Sequence, residues 1–378
     1  MKKALAFLLV TFVLFVVIVP KQFSSPAAPP AGNEQHALAG PAGTQATRIP
    51  DSKSWDPGLN DALQKAVAAH REQVVAFALY DVSIQSVRFS QDGTWAILWL
   101  ALVDRSDSSV LIGEPGLAIA QRAGGAKDAS WTITLQEGAD WGQMLARVPA
   151  GLLTAEERAL FDPSQAKAIK LAGPLSGYLL PWARGQSKVL TGSIGHALTY
   201  KSCPNDCLYA FDFADGTQFP VLAARGGTVK YAAWTCPDGV ETCVNYLVLE
   251  DRTTNPVTYQ LYMHFAQDSI PPELRVVGTP VLQGQFIGKA DDTGYSTGNH
   301  LHFMVHTNPN SYWGSSVDIT FDDVAVNGGR PRTQSEAQAF PQYGSQWTGS
   351  NRYVSWNVNE ANPPTGEITQ PADGSVIT

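Results

Sequence analysis

Two histidines at i and i+2, His300 and His302, sit in Gly298-Asn299-His300-Leu301-His302-Phe303 and lead into the apolar run Phe303-Met304-Val305-His306. On a β-strand alternate residues share a face, so this run predicts both imidazoles on one side of a sheet. Two nitrogen donors held close together by a rigid strand suit a metal and its bound water. An isolated His-x-His pair in a β-protein reads as readily as two ordinary histidines. Five of the chain's seven histidines (His196, His264, His300, His302 and His306) nevertheless fall in one segment, which favours a metal site. Of the other two, His36 reads as a solvated linker residue. His70 continues the apolar spacing of a helix and reads as a packing residue.

The elements that must position these side chains are strands. From Gly177 onward, short apolar runs are separated by Gly, Pro, Asn and Asp: Phe219–Ala224, Thr228–Ala233, Tyr246–Glu250, Val257–Phe265 and Phe286–Ala290. Within this part Asp212 is flanked by aromatics in Tyr209-Ala210-Phe211-Asp212-Phe213. A buried carboxylate is costly unless its charge is compensated, and a Zn2+ ion would compensate it. Upstream, Asp56-Pro57 reads as an N-cap followed by Pro at the first helical position. Leu59, Leu63, Ala66 and Val67 keep helical spacing after it. Strand-like runs follow at Val82–Ser90, Thr94–Val103, Leu117–Arg122 and Trp131–Leu135, the first two joined through Asp92-Gly93, a hairpin signal. One helix and a strand meander predict a small α+β domain, cystatin-like in outline, over 55–149, with no cluster of chemistry of its own. Residues 150–176 read as a connector with a short helix at Thr154–Phe161.

A chain of 378 residues accommodates two or three domains. Its net charge of −8 gives no overall attraction for nucleic acid or an anionic membrane. Lys2-Lys3 precedes the apolar run Ala4–Val19, broken only by Thr11, so residues 1–22 read as a signal peptide or an N-terminal membrane anchor. Either outcome places the remainder outside the cytoplasm, with membrane contact only through this segment if it is uncleaved. Residues 23–54 form a Pro/Ala/Gly linker. Two local disulfides, Cys203–Cys207 and Cys236–Cys243, are the simplest pairing in an oxidising compartment, although four cysteines allow three connectivities. A four-cysteine zinc site is the rival reading, and the spacings lack its usual paired knuckles. No pattern specifies an oligomeric state.

The motifs of the second half resemble those of lysostaphin-type and beta-lytic zinc metallopeptidases. The resemblance is carried by Gly177-Tyr-Leu-Leu-Pro-Trp182 through His196, and by Asp212-Phe-Ala-Asp-Gly-Thr217, Val221-Leu-Ala-Ala224 and Gly227-Thr-Val229. It continues in Tyr262-Met-His264-Phe265, Gly278-Thr-Pro-Val281, Gly284-Gln-Phe-Ile-Gly288 and Thr297-Gly-Asn-His300-Leu-His302-Phe303, covering roughly 177–325 with the motifs in family order. It implies a mainly β catalytic domain of antiparallel sheets over 177–360, preceded by the α+β domain. It further implies one Zn2+ per chain held by His196, Asp212 and His302, with His264 and His300 as catalytic histidines acting on the water and the transition state. The implied substrate is peptide in bacterial peptidoglycan, with small-residue cross-bridges as the family expectation, and the implied location is extracellular or attached to the envelope.

One departure concerns the loop between the first two ligands. In the lysostaphin branch they lie within a few residues of each other; here Cys203 and Cys207 fall between His196 and Asp212, as in the longer loop of the beta-lytic branch. Asp206 and Asp215 are the fallback ligands, and His306 reads as a surface or supporting residue. A non-enzymatic wall-binding or hydrolase-activating module of the same fold is the alternative function. A carbohydrate-binding β-sandwich would account for Tyr312-Trp313 and Trp347 but not for the histidines. The α+β domain fits either a mask over the zinc groove or a tether at the wall. The last residues, 361–378, resemble the first strand of an immunoglobulin-like module.

Overall fold

Apolar residues at nearly every position of Trp95–Val103 call for a strand covered on both faces, and both covers are present. In the computed structural model, which describes residues 56–123, 130–162, 171, 173–195 and 206–358, this strand is β2 of an antiparallel meander. Its neighbours are β1 (Asp81–Phe89), β3 (Gly116–Arg122) and β4 (Trp131–Leu135), in the order β1-β2-β3-β4. On one face the helix α1 (Pro57–His70) lays Leu59, Leu63 and Val67 against Ala96, Leu98 and Leu100. The α1 N-cap is Asp56, which accepts from the Gly58 N–H at 2.9 Å and also receives Arg122 and the Trp131 indole. A short helix α2 (Val75–Leu79) follows it. On the opposite face, Ile97, Trp99, Leu117 and Ile119 pack with Trp141, Leu145 and Phe161 of α3 (Trp141–Arg147) and α4 (Ala155–Phe161). Tyr295, from far along the chain, completes this second layer.

The remaining strands are β5 (Leu175–Tyr178), β6 (Ser187–Gly192), β7 (Phe211–Ala214), β8 (Phe219–Leu222), β9 (Gly227–Ala233), β10 (Tyr246–Asp251), β11 (Thr258–Met263), β12 (Pro280–Val281), β13 (Phe286–Ala290), β14 (His300–His306), β15 (Ile319–Phe321) and β16 (Arg352–Val354). Eight of them form one antiparallel sheet in the order β12-β9-β10-β11-β14-β7-β6-β16. The pair β8–β13 is antiparallel, and β5–β15 is parallel. The mainly antiparallel β architecture expected from the sequence is what the chain adopts. A helix α5 (Gln334–Ala339) lies between β15 and β16.

Period-two alternation sorts the large sheet into two faces. Phe211 and Phe213 of β7, Leu301, Phe303 and Val305 of β14, and Tyr262 of β11 enter the main core with Trp182 and Phe321. Asp212, His300 and His302, at the intervening positions, take the other face, which is closed further along by Val248, Leu261 and Met304. Asp212 is therefore not wedged between the two phenylalanines that flank it in sequence. They point away from it, and its burial has another origin, described below.

The described residues all fall in one compact unit, so the meander and the large sheet are parts of one body. The expected export segment 1–22, the linker 23–54 with His36, the first expected ligand His196, Cys203 and the tail 361–378 lie outside the described residues. Among the described residues no helix is long and apolar enough to cross a membrane.

Candidate metal and catalytic site

Strand register brings the first two groups together. His302 of β14 lies opposite Asp212 of β7, and Gly192 of β6 lies opposite Asp212 from the other side. Cross-strand partners share a face, and the His302 Nδ1 stands 3.0 Å from Asp212 Oδ1, both side chains being fully buried. Glycine at 192 is required by this approach. A Cβ there would lie 2.5 Å from Asp212 Oδ2 and 3.3 Å from its Cβ. The ring of His302 is fixed from behind: Nε2 meets Cys207 Sγ at 3.9 Å, and Trp313 stacks on the ring at 6.1 Å between centroids. Cys207 is disulfide-bonded, although its expected partner Cys203 is not among the described residues.

His264 follows the last residue of β11 in a left-handed backbone conformation (φ 64°). Non-glycine residues adopt this region sparingly, and it is one that recurs where function holds the chain in place. Two contacts secure it: the Asp291 N–H donates to the His264 carbonyl, and His264 Nδ1 donates to the Thr293 carbonyl at 2.6 Å. Thr293 is itself held by Asn245, whose amide also braces Cys236 and Phe265. With Nδ1 donating, the lone pair of His264 is on Nε2. His300 is oriented the same way, its Nδ1 directed at the Gly298 carbonyl at 2.9 Å and 3.1 Å from Ser296 Oγ. The two rings lie 4.4 Å apart. Burial, and then the neighbouring His300, push the His264 imidazole below its ordinary pKa, which favours the neutral ring.

A carboxylate missed at the level of sequence lies at the centre of this group. Glu114, in the Gly113-Glu114-Pro115 link between β2 and β3, contacts His302 Nδ1 directly and stands 3.5 Å from His264 Nε2 and 3.6 Å from His300 Nε2. Its neighbours in sequence are turn-forming residues, and nothing local distinguishes it from any charged hairpin residue; only the packing of the meander on the sheet reveals it. Burial would raise its carboxyl, but the charge on His302, and then the close approach of the His264, His300 and His302 rings, hold it well below the usual range. Burial alone would lower His302, whereas Glu114 and then Asp212 bring it up to about 10.

Two sets of donors could hold a cation among the described residues: Glu114 with Asp212 and His302, and Glu114 with His264 and His300, the atoms in each set lying within 4.8 Å of one another. The chemistry of the first fits zinc. Two buried carboxylates converge on one imidazole, leaving negative charge that a divalent ion would balance, and nitrogen and oxygen donors are those zinc takes. The fallback acids are engaged elsewhere, Asp206 with Ser315 and the Trp313 indole, Asp215 with Lys188 at 2.6 Å. His306 shares the strand but not the site: its Nε2–H donates to the Tyr312 carbonyl and its Nδ1 accepts from the Asn308 N–H. Tyr312 stacks on Tyr246 at 4.2 Å, and Trp313 on His302, so each ring has one face engaged within the protein. The disulfide Cys236–Cys243 forms beside Asn245.

Comparison with known proteins bears on the same segment. Residues 208–313 match peptidase family M23. The chain is 28% identical over 171 residues to the glycyl-glycine endopeptidase ALE-1 of Staphylococcus capitis, covering 45% of this chain and 44% of that protein. It is 35% identical over 105 residues to lysostaphin of Staphylococcus simulans, covering 27% of this chain and 19% of the relative. The chain thus spans less than half the length of either. Among solved structures, the catalytic domain of the prophage-encoded M23 protein EnpA from Enterococcus faecalis aligns at 20% identity and a TM-score of 0.28, over 37% of this chain and 93% of that one. Lysostaphin from Staphylococcus simulans aligns at 26% identity and a TM-score of 0.24, over 37% and 47%.

Proposed function

Starting from a peptidase family M23 domain at residues 208–313, we propose that the chain is a zinc metalloendopeptidase hydrolysing peptide bonds in bacterial peptidoglycan. One observation carries the reading. The buried Asp212–His302 pair faces the Nε2 atoms of His264 and His300 across a single small space. Similarity to a glycyl-glycine endopeptidase over 171 residues supports a peptide as substrate. The disulfide-bonded cysteines support an oxidising, extracytoplasmic compartment.

Asp212 and His302, with His196, would hold the ion, which when bound supplies an acidified water and Lewis-acid polarisation of the scissile carbonyl. The chain's own residues do the rest. His264, anchored at Nδ1 by Thr293, presents Nε2 as the proton acceptor. His300, anchored at Nδ1 by Gly298, presents its Nε2 to the same space and serves to orient the water or, once protonated, to stabilise the oxyanion. Cleavage also needs a proton delivered to the leaving amine, and the imidazolium formed on His264 carries one. The non-enzymatic alternative is disfavoured because Asp212, His264, His300 and His302 are all retained. Purified peptidoglycans of differing cross-bridge chemistry, digested with the zinc-loaded protein as wild type and as Glu114→Ala, test the proposal. New amino termini at small-residue cross-bridges are expected. Release of reducing sugar without new amino termini would refute it.

A further inference from the structure

We propose that Glu114 is itself a ligand of the metal in the resting protein, and that through it the meander layer keeps the enzyme latent; this rests on the metallopeptidase reading above. Glu114 is the residue common to both metal-competent sets. Its carboxylate stands between the Asp212–His302 pair and the Nε2 atoms of His264 and His300. That is the space where the attacking water and scissile carbonyl must meet. Beside Asp212 and His302 it would fill a position that a catalytic zinc site leaves open to water.

Backbone bonds to Thr297 fix the segment that carries Glu114. The Gly113 N–H donates to Thr297 Oγ1 and the Thr297 N–H to the Gly113 carbonyl, both at 2.8 Å, while Thr297 Oγ1 donates to the Leu111 carbonyl at 3.0 Å. These bonds pin Leu111–Gly113 to the loop that borders His300, so that the Glu114 side-chain carboxylate is held in the site.

A second anchor lies outside this space. Tyr295 leaves the large sheet's side and stacks on Trp99 at 5.6 Å with ring planes 10° apart. Its O–H donates to Glu157, a buried carboxylate that also receives Arg88 at 2.9 Å. Ser86 reaches Glu241 at 2.6 Å. Tyr295 belongs to the same loop as Thr297 and Gly298, so undocking the meander both withdraws Glu114 and frees the loop that borders His300.

The test uses the full chain loaded with Co2+, whose visible absorption reports coordination, and titrated with azide. The wild-type spectrum should be unmoved by azide and that of Glu114→Ala should shift. Zinc-loaded Glu114→Ala should also cleave a soluble glycine-rich peptide about tenfold faster or more, as expected when under about a tenth of the wild type is open. An azide shift in the wild type equal to the variant's would overturn the proposal. So would loss of peptide cleavage in Glu114→Ala, which would make Glu114 a proton acceptor in catalysis. Should the variant fail to fold, the wild-type titration decides alone. Failure of both proteins to take up cobalt would instead sink the metal reading itself, and this inference with it.

Discussion

Gly192→Ala should weaken metal binding without unfolding the sheet. The added methyl would sit 2.5 Å from Asp212 Oδ2, 3.0 Å from Cγ and 3.3 Å from Cβ. Asp212 has no flexible length to retreat along, and its backbone is clamped by β6 on one side and β14 on the other. The carboxylate must therefore rotate off His302 or the strands must part. Overpacking of this kind costs about 1–3 kcal/mol. If the strain falls on the metal-bound geometry, each 1.4 kcal/mol is about a tenfold change, which predicts roughly 5- to 150-fold weaker zinc binding. Competition against a chromophoric chelator measures the affinity, and urea unfolding of the metal-free protein shows whether the fold itself has suffered. Zinc affinity within twofold of wild type, with metal-free stability unchanged, would show that Asp212 is not held as described or does not ligate.

Substituting His264 or His300 by alanine should leave zinc content intact while turnover falls by about 10²–10⁴-fold, measured in whichever of the wild-type and Glu114→Ala backgrounds is faster. Loss of zinc in both, with activity recovered by added metal, would reverse the roles. His306 predicts a pH effect on stability: burial takes its imidazole down to about 4, so below about pH 6.5 the unfolded chain binds a proton that the folded one refuses. Stability should fall as pH drops from about 6.5 to about 4, by about 3 kcal/mol in all. Urea midpoints across that range should be flatter for His306→Gln, and equal slopes in the two proteins would contradict the assignment.

Strand positions were legible because apolar runs and turn residues mark them: Trp131–Leu135 and Phe286–Ala290 appear with the ends the sequence predicts, and Val257–Phe265 contracts to Thr258–Met263. The short strands β5, β15 and β16 carry too few residues to show a period, and their pairing is decided by the tertiary fold. The convergence of Asp212, His264, His300 and His302 was readable from spacing together with resemblance. Two things were not. The flanking phenylalanines of Asp212 suggested an apolar surround, whereas alternation sends them to the opposite face. Glu114 belongs to a hairpin nearly two hundred residues from His302 in sequence, and no local pattern records which distant surface a hairpin will meet.

The central claim is that a metal ion sits on Asp212 and His302, and metal content per chain after exhaustive dialysis tests it most directly. Wild-type protein should retain one zinc per chain and His302→Ala almost none, with circular dichroism confirming that the variant is folded. Full zinc occupancy in a folded His302→Ala protein would contradict the account.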